Sequence, residues 1–588
     1  MTLRQFGPRG DGSEGTIFRL WAPAARTVDL VTSQVTPMRR LPGGWYEIEY
    51  PAARAGTRYK FRIDDGVEVP DPASSFQPGD VFGPSEVIDH SYPWQQADWR
   101  GRPWHEAAIL ELHVGTFTPQ GTFRSAIPKL EAVARTGFTA IELMPVADFF
   151  GRWNWGYDGV LPFAPDSVYG RPDDLKALVD AAHAHGLMVF LDVVYNHFGP
   201  EGNFIARYAP EFFASGTQTP WGAAIDFGVC EVRAFVVENV LHWLDSYRFD
   251  GLRLDAVHAI VKPGDPSILT DISIAAGVLA ERTQRRIHLV LENDRNDAIL
   301  LDPLSDPPRG KYRAQWNDDY HHAWHVLLTG ERQNYYQDYA PDPVRHIVRA
   351  LQSGFAYQGE PSAHRNGAPR GGDSGHLPPT SFVSFLQNHD QIGNRPGGER
   401  LDVLAPAAAI EAALAVLLLA PMPPLLFMGE DWGETRPFPF FCDFRGRLAD
   451  AVRAGRRKEF RQTNENEPDA DRWIDPLAER TFRAAVLDWG VVNETPFADR
   501  YALVRRLLEL RKQHIVPHLG RTTQWRAEAA EDGPVATAAW RLDGGTLRLK
   551  ANLSEREVRG EPPRGRVIWN RAHGSVLPPW SVFWTWES

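Results

Sequence analysis

A chain of 588 residues is too long for one ordinary domain, and about three domains are expected, one of them large enough for a barrel. Hydrophobic residues make up 43% of the chain and charged residues 23%, a globular composition rather than a disordered or fibrous one. The net charge of −12 argues against nucleic acid and membrane as main partners.

Two cysteines, Cys230 and Cys442, provide neither a disulfide framework nor a metal cluster. Residues 1–15 contain no apolar signal core, and the most apolar run, 412–420, is too short to span a bilayer and ends at Pro421. We therefore expect a soluble, cytoplasmic protein with reduced thiols, present as a monomer or a weak homodimer.

The N-terminal part alternates short apolar strands with turns, as in FRLWAPAARTVDLV and WYEIEY. This pattern predicts a β-sandwich over residues 1–90, a module that either binds glycan or packs on the next domain, with packing favoured. The stretch that follows is rich in proline, and we assign residues 91–107 as a linker.

Apolar strand-like runs then alternate with amphipathic helical segments, which is typical of a parallel sheet with crossover helices. Eight strands are predicted, at residues 108–114, 140–146, 188–194, 251–255, 287–292, 312–316, 381–388 and 424–428. The predicted helices between them include residues 127–136, 173–185, 232–247 and 404–419. Eight such units imply a closed (β/α)8 TIM barrel, with its active site at the carboxyl ends of the strands.

We assign residues 108–521 to this barrel, with long insertions at 198–228 and 317–380 after the third and sixth strands. From residue 522 to residue 588 the alternating pattern returns, as in VATAAWRL and SVFWTWES. This last segment predicts a small C-terminal β-domain.

Polar residues follow four of the predicted strands, namely Asn196 and His197, Asp255, Glu292, and His389 with Asp390. Each has a structural explanation by itself, such as a capping Asn or a solvated Glu. Because the carboxyl ends of barrel strands meet on one face, we expect these side chains to converge on one pocket.

The carboxylates suit cleavage of a glycosidic bond. Arg253 and Asp255 share one face of the fourth strand, so the guanidinium can keep the carboxylate ionised for nucleophilic attack, although such pairs also serve stability alone. Glu292 follows the apolar run HLVL, and neighbouring carboxylates would raise its pKa, as a general acid requires. Asp390 would bind ring hydroxyls, and carboxyls of Asp255 and Glu292 about 5–5.5 Å apart would mean retention of configuration.

The segment WNWGYDGV follows the second strand and places Tyr157 where its ring would stack under the attacked sugar, though a packed loop aromatic explains it equally well. Asp192 and Asn196 could supply ligands to a divalent metal, but no compact spacing of ligand residues supports such a site. We expect neither a metal nor a cofactor.

The strings DVVYNH, GLRLDAVH, LEND and QNHD, on strands three, four, five and seven, resemble the short motifs of the α-amylase superfamily. The resemblance implies that Asp255 is the nucleophile, Glu292 the acid/base and Asp390 the transition-state stabiliser. It also implies that the attacked glucose is lined by Tyr157, His197, Arg253 and His389. The N-terminal FRLWAPAARTVDLV is similar to the module of glycogen-branching and debranching members.

Longer strings, such as ELMPVADFFGRWNWGYDGV and LLFMGEDWGETRPFPFFCDF, look like those of members that release trehalose from maltooligosyl trehalose. This resemblance implies maltooligosyl trehalose and maltooligosaccharides as substrates and an α-1,4 bond as the target. Buried polar contacts would recognise the trehalose end. The candidates are His258, Asn293 and Asp294, with Asp318, Asp319 and Glu430 as further possibilities; each is equally well explained as a solvated loop residue.

Two other functions stay open. The N-terminal module favours an α-1,6-active branching or debranching enzyme, for which the resemblance would lead us to expect a Ser-His-Asp-Glu string after strand seven. Here Asn388 precedes His389 and Gln391 follows Asp390, which disfavours that alternative. A non-catalytic glycan-binding barrel is more distant, because all three carboxylates are present.

Overall fold

A computed structural model describes residues 5–10, 15–64, 66–219, 221–260, 267–463, 473–520, 526–561, 563–570 and 575–588. The N-terminal strands form two antiparallel sheets. One sheet joins, in order, Thr16–Trp21, Trp45–Tyr50 and Arg39–Arg40. The other joins Val35–Pro37, Val28–Val31, Arg58–Ile63 and Val67–Val69, and Ser85–Glu86 pairs with Arg58–Ile63. The ring of Phe18 on the first sheet packs 4.6 Å from that of Tyr59 on the second, so the predicted N-terminal β-module is confirmed.

The central sheet has eight parallel strands: Ile109–Leu112, Ala140–Leu143, Met188–Val193, Gly251–Leu254, His288–Leu291, Ala314–Trp316, Phe382–Val383 and Leu425–Phe427. Successive strands pair, the eighth pairs with the first, and a parallel bridge between Ser384 and Pro424 joins the seventh to the eighth. The barrel expected from the eight apolar runs is confirmed.

Helices cover the barrel strands, which are buried on both faces as in other parallel sheets. The α-helices are Val114–Phe117, Phe123–Ala126, Leu130–Thr136, Pro172–Ala184, Cys230–Leu241, Val257–Ile260, Ser267–Thr283, Asp318–Thr329, Pro343–Ser353, His389–Gly393, Leu401–Leu404, Ala407–Leu419, Gly446–Thr463, Glu479–Ala484 and Phe497–His514. The apolar helix Ala407–Leu419 has 13 residues, and no described helix is both long enough and apolar enough to cross a bilayer.

Some elements differ from their predicted bounds. The predicted helix 404–419 begins three residues later, at Ala407, after its N-cap Pro406, and a separate short helix, Leu401–Leu404, precedes it. The sixth strand begins two residues later than predicted, since Tyr312 bridges to Leu301 outside the barrel. The seventh strand ends early, at Val383, and the chain beyond it turns into the short helix that begins at His389.

The described residues of the two insertions form helices and strand pairs beyond the carboxyl ends of the barrel strands. The first contains the hairpin Phe213–Thr219 and Gly222–Ile225. The second contains the helices Asp318–Thr329 and Pro343–Ser353 and the strand pair Glu360–Pro361 and Pro369–Arg370. A further pair, Ala147–Asp148 with Leu161–Pro165, frames the loop that carries Tyr157.

The C-terminal part is a five-stranded antiparallel sheet in the order Arg526–Asp532, Val535–Leu542, Gly545–Asn552, Ser581–Glu587 and Arg566–Trp569, beside the pair Val558–Arg559 and Val576–Leu577. Two buried indoles fasten the sheet to the barrel helices: Trp540 donates to the Leu351 carbonyl at 3.1 Å and Trp584 to the Ala415 carbonyl at 3.0 Å. The predicted C-terminal β-domain is confirmed, while its predicted first residue, 522, lies outside the described residues.

Candidate active site

Asp255 lies directly after the fourth barrel strand, and its carboxylate is held from two sides. Its Oδ1 accepts a hydrogen bond from Arg253 Nη1 at 2.7 Å, and its Oδ2 accepts one from Asn196 Nδ2 at 2.8 Å. The side chain of Asp255 is 16% exposed, whereas that of Arg253 is fully buried. The carboxylate is therefore fixed in position and still open to the cleft.

The Arg253 guanidinium lies among three carboxylates. Its Nη1 also donates to both oxygens of Asp192, at 2.9 and 2.8 Å, and its Nη2 lies 3.9 Å from Glu292 Oε2. Burial alone would lower the pKa of Arg253, but Asp192 and Asp255 raise it well above its ordinary value. Burial also raises the pKa of Asp192 to about 7, against the opposing effect of Arg253. A permanent positive charge thus lies beneath the cleft.

Glu292 follows the fifth strand and faces the same charge. Its Oε2 accepts a hydrogen bond from the Ala256 backbone N–H at 2.6 Å. Ala256 has a φ of 42°, in the left-handed region that residues with a Cβ seldom adopt, and such strain is concentrated at functional sites. Burial raises the pKa of Glu292 well above its ordinary value; Arg253 opposes this shift and Asp255 adds to it. A carboxyl group with a raised pKa is suited to serve as a general acid.

Asp390 and His389 begin the short helix after the seventh strand. The side chain of Asn388 caps this helix by accepting from the Asp390 N–H at 2.9 Å. The Asp390 side chain is 50% exposed, and its Oδ1 lies 3.6 Å from Nε2 of the buried His389. A half-exposed carboxylate and a buried imidazole therefore stand side by side at the cleft.

Two aromatic residues complete this part of the site. Tyr157 donates its hydroxyl hydrogen to the Asp192 carboxylate, and its ring stacks on His389 with 5.1 Å between centroids. His197 donates from Nδ1 to the Asn196 side-chain oxygen, and burial lowers the pKa of His197. The structure thus gathers at one pocket Asp255, Glu292, Asp390, Tyr157, His197, Arg253 and His389.

The three residues considered for the trehalose end have different surroundings. His258 Nδ1 accepts from the Asp294 N–H at 3.4 Å, and burial lowers the pKa of His258. Asp294 is 54% exposed and forms ion pairs with Arg365 at 2.6 Å and Arg370 at 3.6 Å. Asn293 is 1% exposed, and its side-chain oxygen accepts from the backbone two residues on, so it forms the turn rather than the wall of the cleft.

Of the further possibilities, Asp318 is half-buried at the end of the sixth strand. Burial raises its pKa to about 7, while Arg370 opposes this shift. Asp319 is fully buried and accepts from the N–H groups of Ala356 and Tyr357 at 2.7 and 2.9 Å, so it organises the insertion instead of facing the cleft. Glu430 is also buried and accepts from its own turn.

One buried partner was missed from the sequence. Glu111, on the first strand, accepts hydrogen bonds from both the ring and the backbone of His389. The available signal was a single acid inside the apolar run AILELHV. Among the described residues, no group of three or more His, Cys, Asp or Glu side chains is arranged to hold a metal ion.

A closed parallel barrel with an Arg-paired Asp, a Glu whose pKa is raised by burial and a third carboxylate at its carboxyl end is the arrangement of an α-amylase-type glycoside hydrolase. Family models agree: the α-amylase catalytic domain matches residues 79–212 and carbohydrate-binding module 48, the isoamylase N-terminal domain, matches residues 5–73. A domain of unknown function, DUF3459, matches residues 524–584.

Within that class, the chain belongs to the malto-oligosyltrehalose trehalohydrolase family. It is 42% identical to the malto-oligosyltrehalose trehalohydrolase of Deinococcus radiodurans over 86% of this chain and 82% of that protein. It is 40% identical to that of Saccharolobus solfataricus over 87% of both chains.

Solved structures show the same architecture. The structure of a candidate alpha amylase from Salmonella typhimurium covers 100% of both chains, with a TM-score of 0.94 and 43% identity. A Paenibacillus barengoltzii pullulanase complexed with maltotetraose has a TM-score of 0.70, with 99% of this chain and 95% of that chain covered. At 19% identity, the similarity to the pullulanase shows only that the two proteins have the same fold.

Proposed function

We propose that this protein hydrolyses the α-1,4 bond between a maltooligosaccharide and its terminal trehalose, and so releases free trehalose. The observation that carries the proposal is the pairing of an Arg-bound, accessible Asp255 with a Glu292 whose pKa is raised by burial. The family to which the chain belongs supplies the substrate.

In the first step, Asp255 attacks the anomeric carbon of the glucose that precedes trehalose. Glu292 gives its proton to the glycosidic oxygen, the bond to that oxygen breaks, and trehalose leaves. In the second step, the Glu292 carboxylate takes a proton from water, and the water oxygen displaces Asp255 from the anomeric carbon. The maltooligosaccharide is released and both carboxyl groups return to their starting states.

The remaining residues would hold the attacked glucose. Asp390 would accept hydrogen bonds from ring hydroxyls, since its half-exposed carboxylate has room for them. Tyr157 offers a ring face fixed by its contacts with His389 and Asp192. His197 would complete this subsite, and Arg253 would act from below by holding the Asp255 carboxylate in place.

We further propose that His258 and Asp294 contact the trehalose side, with Asp318 beside them. Asn293 would act indirectly, through the turn that carries Asp294. Replacement of Asp318 by Asn would then weaken cleavage of maltotriosyl trehalose much more than any residual cleavage of plain maltodextrin. Equal losses on the two substrates would refute the assignment of Asp318 to the trehalose side.

The function is tested by product analysis with three substrates in parallel: maltotriosyl trehalose, maltopentaose and a branched glucan. We expect trehalose and maltotriose from the first and little change in the other two. Rearrangement or debranching of the third without release of trehalose would favour the α-1,6-active alternative. Binding of a substrate without turnover of any of the three would favour the alternative of a non-catalytic, glycan-binding barrel.

We also propose the domain limits 1–90, 91–107, 108–521 and 522–588, which limited proteolysis would test. A cytoplasmic location is proposed as well, and both Cys230 and Cys442 are free thiols. Sedimentation would test the expectation of a monomer or a weak homodimer.

A further inference from the structure

Glu111 is a buried carboxylate that the two-step reaction above does not use. It lies in the first barrel strand, Ile109–Leu112, and its side chain is 1% exposed. Its Oε1 accepts a hydrogen bond from His389 Nδ1, and its Oε2 accepts one from the His389 backbone N–H at 3.2 Å. One carboxylate therefore holds both the ring and the main chain of the same residue.

Contacts with the aromatic rings of Tyr157 and Trp155 restrict the orientation of the His389 ring. The ring stacks on Tyr157 at an interplanar angle of 24° and meets Trp155 edge-on, with 5.3 Å between centroids. Because Glu111 occupies Nδ1, the opposite nitrogen, Nε2, faces the half-exposed Asp390 carboxylate, 3.6 Å away. The Nε2–H is thus the end of the ring that a sugar in the cleft would meet.

We propose that Glu111 is a positioning residue of this active site: through its two hydrogen bonds it keeps the His389 ring charged and its Nε2–H aimed at the attacked sugar. The ring then donates to a hydroxyl oxygen of that sugar beside Asp390. The inference rests on the proposed function, because the sugar is the one whose bond is cleaved.

The charges around the ring support the imidazolium form. Burial alone would lower the pKa of His389, but the Glu111 and Asp390 carboxylates raise it above its ordinary value of 6.5. Arg253 opposes this effect from the fourth strand. The titratable and charged groups that face the ring are Glu111, His113, Tyr157, Asp192, Arg253 and Asp390.

The barrel offers a matched control in the same layer. Glu142, on the second strand, is the register partner of Glu111 and is also 1% exposed. Neither of its carboxyl oxygens bonds to a described residue, and burial raises its pKa well above its ordinary value. Replacing Glu142 by Gln makes the same side-chain substitution in the same layer of the barrel without touching His389.

The kinetic test measures kcat and KM for maltotriosyl trehalose between pH 5 and 9. The variants are E111Q, E142Q, H389N and the E111Q/H389N double variant. For E111Q we expect kcat to fall roughly 10–100-fold and its pH profile to shift, because the ring without Glu111 loses its proton more readily, with KM nearly unchanged. E142Q should keep the profile of the unchanged protein, and the double variant should be no slower than H389N.

An equal fall for E111Q in both backgrounds, or an unshifted pH profile, would overturn the proposal. A second measurement does not depend on the folding of any Glu111 variant. In the unchanged protein with ¹⁵N-labelled histidine, the His389 signals, assigned by their loss in H389N, should show both nitrogens protonated at pH 6. A neutral ring at pH 6 would refute the proposal, whereas failure of the unchanged protein to release trehalose would refute the proposed function instead.

Discussion

Replacing Glu292 by Gln should stop turnover while leaving the site assembled. Gln keeps the oxygen that accepts the 2.6 Å hydrogen bond from Ala256 N–H, so substrate affinity should change by no more than about threefold. The amide has no proton to give to the leaving oxygen, and loss of a general acid costs about 10²- to 10⁴-fold in kcat. Stability should not fall, because a carboxyl group whose pKa is raised by burial is a cost to the folded state above its ordinary pKa.

The assay compares maltotriosyl trehalose with maltosyl fluoride, whose leaving group needs no proton. The Glu292→Gln variant should release about one equivalent of fluoride per active site and then stop, because the second step lacks its base. Mass spectrometry should find the sugar on Asp255. Steady turnover of the natural substrate at more than a tenth of the unchanged rate would refute the assignment of Glu292 as the acid. Absence of a fluoride burst, with maltosyl fluoride still bound, would refute Asp255 as the nucleophile.

Three further changes test the physical basis of the fold and site. Arg253→Met leaves the Asp192 and Asp255 carboxylates beneath the cleft without the cation that they share. The free energy of unfolding in urea at pH 7 should therefore fall by about 3–5 kcal/mol. A loss below about 1 kcal/mol would contradict this hydrogen-bond network. Glu331 has its pKa lowered to about 2, since a histidine and an arginine outweigh the effect of burial. Its stabilisation is therefore present above pH 4.5 and lost as pH falls through 2, so Glu331→Gln should cost about 1–2 kcal/mol at pH 7 and nothing near pH 2. Gly393→Ala places a Cβ 1.9 Å from the Trp155 ring. This variant should lower the free energy of unfolding by about 1–3 kcal/mol and should also lower kcat. Its control is Gly455→Ala, whose Cβ meets nothing within 4 Å and which should be neutral or stabilising.

The barrel could be predicted from sequence because its strands are short apolar runs between helical patterns, each of which is decided locally. The last strands were less predictable: Val383 ends the seventh because the chain must turn to carry Asn388 as a helix cap, which depends on the geometry beyond it. The apolar run after Ser384 carries no signal of that change. Strand ends are therefore the part of the fold that tertiary geometry decides.

The active site likewise contains residues that the local sequence predicts and residues whose position depends on distant parts of the chain. Asp255 and Glu292 were predictable because polar side chains at strand ends converge in any barrel. Asp319 was expected on a loop, but the backbone N–H groups that bury it come from residues 356 and 357, beyond the reach of local patterns. The partner of Glu111 could not be predicted from local sequence, because His389 lies 278 residues away.

Release of trehalose through a covalent Asp255 intermediate is tested most directly by following maltotriosyl trehalose by ¹H NMR from the first seconds of reaction. We expect trehalose and maltotriose in equal amounts, with the maltotriose appearing first as its α-anomer and then mutarotating. Maltotriose released as the β-anomer would contradict the nucleophilic role of Asp255. Products other than trehalose would contradict the site of cleavage.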